Sequence, residues 1–313
     1  MIRIENLTKY YGKRLAVNDI SFNIEKGEIV GFLGPNGAGK TTTMRMLTGF
    51  LMPTSGDAWI ADHNMATDSL AGRRLIGYLP EIVPLYTDMK TRSYLEFAGR
   101  IRGLDRSTCK RRVDEVVERC GLEEYVDVLL NKLSKGYKQR VGLAQAIIHD
   151  PEVLILDEPT IGIDPIQISQ TRNLISELGE NRTILLSTHI LPEVSMTCER
   201  VIIINQGKIV AQDRIENLSS LLKGGKYLRL KVQGPPEEVT ASLAKIGAIE
   251  DVSYEEPFHM VKFGTESEPQ AEITQSLLSK GWTLLSMESV EMSLEDIFLQ
   301  LTSAEEEAEE ATH

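Results

Sequence analysis

Eight residues, Gly34-Pro35-Asn36-Gly37-Ala38-Gly39-Lys40-Thr41, fit the pattern G-x-x-x-x-G-K-S/T. The chemistry of that spacing is anion capture. Glycines let the backbone curl so that successive N–H groups face one anion, and a helix that starts at the end of the run adds its positive dipole end. The Lys40 ammonium can reach β- and γ-phosphates, and the Thr41 hydroxyl can ligate Mg²⁺. A glycine-rich turn that binds nothing is the plainer alternative, disfavoured by the apolar run Ile29 to Leu33 before it and the helix-like run Thr42 to Leu47 after it. A second grouping ends the run Val153-Leu-Ile-Leu-Asp157-Glu158-Pro159. A buried strand delivers its terminal carboxylates to the sheet edge where a phosphate loop also lies. Asp157 is then placed to hold Mg²⁺ through its water shell, and Glu158 to polarise an attacking water. The third grouping, Leu133-Ser134-Lys135-Gly136-Tyr137-Lys138-Gln139-Arg140, precedes a helix-like run from Val141 to His149 that stops at Pro151. Ser134 reads as its N-cap, and with the amides through Gly136 and the helix dipole it makes a second anion site. Two phosphate-facing elements in one chain suggest that one of them serves a neighbouring subunit.

The elements that must position these groups follow from hydrophobic periodicity. Ile2 and Ile4, and then Ile20 to Ile24, alternate with polar residues, as in an antiparallel sheet with one buried face. Ile29 to Leu33, Val153 to Leu156, Thr183 to Leu186 and Val201 to Ile204 are continuous apolar runs. Such runs belong to strands of a parallel sheet buried on both faces, and helical patterns separate them, so the core is α/β. From about Tyr86 to Asp150 the pattern is helical: Leu95, Ala98 and Ile101 share one face, and Val113, Val116, Val117 and Cys120 another, with Gly121 as a stop. This is expected to be a helical subdomain inserted in the α/β core. Beyond residue 220 the order becomes strand (Tyr227 to Val232), helix (Pro235 to Ile246), two strands (Ile249 to Tyr254, His259 to Phe263), helix (Gln270 to Ser279) and strand (Thr283 to Val290). The order βαββαβ predicts a small α+β unit of ferredoxin-like topology over residues 221–302, with a last helix at Ser293 to Leu301.

Charge supports a boundary near residue 220. Of the net charge of −12, residues 1–220 account for −1 (27 Lys and Arg against 28 Asp and Glu) and residues 221–313 for −11 (7 against 18). Residues 303–313 read as an acidic, solvated and disordered tail. No basic patch points to nucleic acid. No apolar run approaches the roughly 20 residues that span a bilayer, and no leader peptide is expected. Cys109, Cys120 and Cys198 lack metal-ligand spacing and read as reduced thiols of a cytoplasmic protein.

Taken in order, these motifs resemble the nucleotide-binding subunit of an ATP-binding cassette (ABC) transporter over residues 1–220. The phosphate loop is Gly34 to Thr42, the signature Leu133 to Gln139, and the acidic strand Val153 to Glu158. Thr160-Ile-Gly-Ile-Asp164-Pro165 resembles the D-loop, and Ser187-Thr188-His189 the switch histidine. Tyr11, in Lys9-Tyr-Tyr-Gly12, stands where the family stacks an aromatic ring on adenine. The resemblance implies a P-loop NTPase core with ATP and Mg²⁺ as ligands. It also implies a head-to-tail dimer, with a second copy or a sister cassette, in which each ATP lies between Lys40 of one subunit and Ser134 and Gly136 of the other. His189 would contact the γ-phosphate, and Asp164 would link the two sites. Glu81, in Ile76-Gly-Tyr-Leu-Pro80-Glu81, stands where the family has its Q-loop glutamine, and can accept a hydrogen bond from Mg²⁺-bound water. Lys135 and Tyr137 replace a glycine and a glutamine of the usual signature; Ser134 and Gly136 are kept, so ATP hydrolysis is expected.

Pro80-Glu-x-x-Pro84-Leu-Tyr86 and Met292-Ser-Leu-Glu-Asp-Ile-Phe-Leu-Gln-Leu301 resemble the drug, sodium, antibiotic and gliding-motility exporter branch. That resemblance implies integral membrane permease subunits as partners, docked on the helical subdomain beside Glu81, and a peripheral place on the inner face of the cell membrane. Two other classes fit these residues less well. A cytosolic cassette ATPase acting on ribosomes or DNA ordinarily carries two cassettes or a long heptad insertion with basic surfaces. A non-hydrolysing interaction module would not need Lys40, Asp157, Glu158 and His189 together.

Overall fold

Strand β1 (Ile2–Tyr11) pairs antiparallel with β2 (Arg14–Ile24), and the alternation of the sequence becomes a buried face of Ile2, Ile4 and Leu7 against Ile20, Phe22 and Ile24. The step from Ile4 to Leu7 breaks strict alternation because Asn6 takes a left-handed φ of 49° and the register shifts there, a bulge that returns Leu7 to the core face. The chain then runs through β3 (Ile29–Leu33), α1 (Lys40–Leu47), β4 (Ser55–Ile60), β5 (His63–Asn64), α2 (Ser69–Arg74) and β6 (Ile76–Leu79). Next come α3 (Thr91–Ile101), α4 (Arg106–Arg119), α5 (Lys135–Ile147), β7 (Val153–Asp157) and α6 (Pro165–Gly179). They are followed by β8 (Thr183–Thr188), α7 (Leu191–Thr197), β9 (Arg200–Asn205), β10 (Lys208–Arg214) and α8 (Ile215–Leu221). The computed structural model describes residues 1–221, 226–264 and 267–290. The helix expected at Ser293 to Leu301 and the tail 303–313 lie outside these described residues.

Two sheets build the first of two compact units, Met1–Ile215. One is antiparallel, in the order β2-β1-β4-β5. The other runs β10-β9-β3-β8-β7-β6, with β9, β3, β8, β7 and β6 mutually parallel and β10 antiparallel at the edge. Every residue of β7 and β8 is buried, as their continuous apolar character requires. The two sheets share one core in which Ile2, Ile4 and Phe22 meet Phe32, Ile155, Leu185 and Ile202. Phe22 and Phe32 rings lie 5.7 Å apart across it. The short strands β4 and β6 are found by the tertiary structure and not by the periodicity, since four to six residues carry too little pattern.

Helix α4 starts at Asp105, whose carboxylate accepts from the Ser107 and Thr108 amides, and α6 starts at Asp164, which accepts from the Gln167 amide with Pro165 in the first turn. The helix expected from Val141 begins six residues earlier, at Lys135. Its first turn is mostly polar, so the apolar periodicity starts late, but Gly136 and Gln139 are already buried and Ser134 caps the helix.

The second unit begins at Glu216. Its described part holds β11 (Lys226–Gln233), α9 (Pro236–Leu243), β12 (Ile249–Glu255), β13 (Phe258–Phe263), α10 (Gln270–Ser279) and β14 (Thr283–Val290). The sheet order β12-β13-β11-β14, with every neighbouring pair antiparallel, is the ferredoxin-like arrangement. Leu228, Leu230, Val261 and Phe263 pack against Val239, Leu243, Ile273 and Leu277 of the two helices.

Candidate nucleotide site

The turn between β3 and α1 is shaped by glycine at the positions where nothing else fits. Gly37 and Gly39 have φ of 85° and 111°, and a Cβ on Gly34 would lie 2.3 Å from the Ile204 carbonyl oxygen of β9. The Ala38 amide donates to the Pro35 carbonyl at 3.2 Å, closing the turn, and Thr43 continues the helix from Gly39. The loop opens on a cleft of about 520 Å³ lined by Tyr11, Asn36, Gly37, Gly39, Lys40, Thr41, Thr42, Glu81 and Glu158. Tyr11 is 45% exposed there. Most of the residues expected from the sequence to meet a nucleotide therefore share one cavity.

Beneath it lies a hydrogen-bonded constellation drawn from the start of α1 and the ends of β7 and β8. Lys40 is buried; its ammonium donates to the Gly34 and Pro35 carbonyls at 2.7 and 3.2 Å and lies 3.3 Å from Glu158 Oε1. The other Glu158 oxygen, Oε2, accepts from His189 Nδ1 at 2.9 Å. Glu158 sits just past the end of β7 with a left-handed φ of 50°, a strained conformation for a residue with a side chain. Its amide is held there by the Ser187 carbonyl and the Ser187 hydroxyl, both at 3.1 Å. The turn swings the Glu158 side chain into the cleft while Asp157 stays beneath.

Asp157 is fully buried. Its Oδ1 accepts from the Ser187 hydroxyl at 2.5 Å and from the Thr41 hydroxyl at 3.3 Å, whereas Oδ2 has no partner among the described residues. Burial pushes its carboxyl above the usual range, opposed by those two hydrogen bonds. Neighbouring Tyr78 is lifted to about 12, first by burial and then by the Asp157 charge. A fully buried carboxylate oxygen without a donor, beside a hydroxyl at the cleft floor, is an all-oxygen donor set of the kind a hard divalent cation takes. Glu81 is exposed and lines the same cleft.

Ser134 and Gly136 are elsewhere. Ser134 caps α5, its Oγ accepting from the Tyr137 amide at 3.4 Å, and no residue of the Leu133 to Tyr137 turn lines the cleft. Gly136 is covered by the Gln167 side chain of α6, leaving no room for a Cβ, and Lys135 reaches over Gly162. The signature turn thus packs on the loop that follows Glu158 in the same chain. Asp164 acts here as the α6 cap.

Sequence reasoning missed Arg14, Ala16, Arg45 and Ile161, which also line the cleft. It also missed what Ser187 does, although Ser187-Thr188-His189 had been singled out. Its place three residues after Tyr11 is the available signal for Arg14. Nothing local marks Ser187, since its partner is thirty residues away.

A parallel-stranded phosphate-loop core, an antiparallel sheet and an inserted helical segment define the class as a cassette ATPase. Comparison with known proteins agrees. The family model described as ABC transporter matches residues 17–161. The linearmycin resistance ATP-binding protein LnrL of Bacillus subtilis (strain 168) is 34% identical over 307 residues, covering 96% of this chain and 98% of its own. The bacitracin transport ATP-binding protein BcrA of Bacillus licheniformis is 35% identical over 303 residues, covering 96% and 97%. The dimeric structure of MJ0796, a bacterial ABC transporter cassette, superposes with a TM-score of 0.64 at 25% identity, over 69% of this chain and 99% of the other. The chain belongs to the ABC transporter family as an ATP-binding, ATP-hydrolysing subunit.

Proposed function

We propose that this chain powers export through separate integral membrane permease subunits, working as a head-to-tail dimer that closes around two ATP molecules. The observation that carries the dimer is the separation within one chain of two phosphate-facing elements: the cleft holds Lys40, Thr41 and Glu158, and Ser134 caps a helix outside its lining. Solved MJ0796 is itself described as dimeric. Export is supported by relatives named for linearmycin resistance, bacitracin transport and Nod factor export. No described helix is long and apolar enough to cross a membrane, so separate permease subunits would provide the path. The site for them is the helical segment beside Glu81, where Ile82, Tyr86 and Ile101 are exposed at 83%, 58% and 67% and Tyr86 stacks edge-on against Phe97. On this reading the chain works peripherally on the inner face of the cell membrane.

Within the cleft Tyr11 stacks on the base, the amides of Gly34 to Thr42 cradle the phosphates, and Lys40 turns from its loop carbonyls toward the β- and γ-phosphates. Thr41 and Asp157, with Glu81, would hold Mg²⁺, which supplies charge neutralisation on the phosphate oxygens. As Lys40 leaves Glu158 Oε1 for the γ-phosphate, that carboxylate oxygen is free to accept a proton from the attacking water. His189, donating to Oε2, keeps Glu158 oriented and presents its other nitrogen toward the γ-phosphate. ADP lacks the group that joins Lys40 to the partner's Ser134, so hydrolysis loosens the dimer and moves the permease helices.

Mixing two inactive variants tests the shared site. Lys40→Ala and Ser134→Ala chains are each expected to be inactive alone, and their mixture to regain hydrolysis because one heterodimer site is intact. A mixture as inactive as its components rejects the homodimer. Glu158→Gln should bind ATP and hydrolyse it at least a hundredfold more slowly, in line with loss of a general base. Co-purification with an integral membrane protein supports transport; ribosomes or DNA in its place would overturn it.

A further inference from the structure

Thr188, Ile190 and Glu193 close a hydrogen-bonded ring around His189. The buried Glu193 carboxylate accepts at Oε2 from the Thr188 hydroxyl at 3.0 Å, and the same hydroxyl accepts from the Ile190 amide at 3.0 Å. The Glu193 amide in turn donates to the Ile190 carbonyl at 3.1 Å. Residues on both sides of His189 are thus tied to one carboxylate, while the His189 side chain is left free to meet Glu158. We propose that Glu193 is a positioning residue for hydrolysis: through Thr188 it fixes the backbone of His189, so that Nδ1 donates to Glu158 Oε2 and Nε2 faces the phosphates. The inference rests on the roles proposed above for Glu158 and His189.

The physical case is the choice of residue. A carboxylate is a costly group to bury, and Glu193 is 6% exposed with Oε1 lacking a partner among the described residues. Packing alone favours an apolar side chain at that point of α7, next to the fully buried Val194. What only an acceptor can do is orient a hydroxyl. Thr188 Oγ1 accepts from the Ile190 amide only along its lone pairs, and a strong acceptor for its proton fixes the rotor that points them there. Without Glu193 the hydroxyl can turn, Ile190 loses its anchor, and the histidine main chain gains freedom where a shift of 1 Å is costly to catalysis. Favourable charge in the first turn of α7 is the merely structural alternative, and it makes no demand on His189.

The test uses the purified chain with Glu193→Leu, Glu193→Gln, Thr188→Val, Thr188→Ser and the double variant Thr188→Val/Glu193→Leu. ATPase kcat and KM are read together with the ¹⁵N imidazole NMR signals of His189, assigned with His189→Ala. Glu193→Leu and Thr188→Val are expected to lower kcat at least tenfold with KM within twofold, and to lose the Nδ1–H signal. Glu193→Gln, whose amide oxygen still accepts from Thr188, and Thr188→Ser should stay within threefold of the unaltered chain. The double variant removes donor and acceptor together and so leaves no stranded polar partner; it should fold and be no slower than the worse single variant. Glu193→Leu with kcat within twofold, or with the His189 signal unchanged, overturns the proposal, as does Glu193→Gln falling as far as Glu193→Leu. Should His189→Ala hydrolyse ATP at the full rate, the role given to His189 fails, and the NMR signal still reports whether Glu193 positions it.

Discussion

Replacing Ser187 by alanine isolates the support beneath the Asp157 and Glu158 carboxylates. The Ser187 hydroxyl donates to buried Asp157 Oδ1 at 2.5 Å and accepts from the Glu158 amide at 3.1 Å. The second contact has a substitute, because the Ser187 carbonyl also accepts from that amide at 3.1 Å. The first has only a longer one: the Thr41 hydroxyl donates to the same oxygen at 3.3 Å, and among the described residues Oδ2 has no partner. A hydrogen bond to a buried ionised group contributes about 1.5–3 kcal/mol, so Ser187→Ala should destabilise the first unit by about 2 kcal/mol above neutral pH. The loss must depend on pH. Burial already lifts the Asp157 carboxyl and the Ser187 bond opposes that, so the variant's folded carboxyl titrates higher still while the unfolded one is unchanged. The destabilisation is therefore full where Asp157 is ionised, and shrinks as pH falls through the raised values and the carboxyl becomes neutral in both proteins. Urea unfolding followed by Trp59 fluorescence, in a Trp282→Phe background, measures it. A loss below about 0.5 kcal/mol, or one that does not shrink as acid protonates Asp157 in both proteins, would refute the assignment of Ser187 as the support of an ionised Asp157.

Gly34→Ala should be worse than Gly37→Ala, though both lie in the phosphate loop. A Cβ at Gly34 meets the rigid Ile204 carbonyl at 2.3 Å, whereas at Gly37 nothing lies within 4 Å and the cost is the left-handed φ of 85°. Expected losses are about 1–3 kcal/mol for the first, with weakened ATP binding, and about 1–2 kcal/mol for the second, by urea unfolding and nucleotide titration. His149, whose Nε2 meets the Ile76 carbonyl at 3.0 Å, is held down at about 4 by burial first and then by the Arg102 charge. Its neutral form is the folded one, so stability is full above 6.5 and falls as pH drops toward 4; His149→Gln should remove that contribution, worth about 2 kcal/mol at pH 5, seen as a smaller gap between urea midpoints at pH 7 and pH 5.

Local pattern determined much of this protein. The phosphate loop, the acidic strand end and the Ser134 cap are legible in sequence because each is a short run whose chemistry depends on neighbours in the chain. The strands Ile29–Leu33 and Val153–Asp157 are legible because burial on both faces forces an unbroken apolar run, and the βαββαβ order because each element is long enough to show its period. Strand order is another matter. That β3 lies between β8 and β9, and β7 between β6 and β8, is settled by how helices pack on the sheet faces, and no run of residues encodes it. The start of α5 was hidden for a related reason: its first turn is buried by another part of the chain, Gln167 over Gly136, and not by an apolar stripe of its own. Only tertiary structure brings Ser187 to Asp157, Lys40 and His189 to the two oxygens of Glu158, and Arg14 and Arg45 into the cleft. The motifs named the reacting groups. Hydrogen bonds and an ion pair between residues 30 to 118 positions apart decided which of them touch, and a buried polar atom must find its partner wherever the fold has placed one.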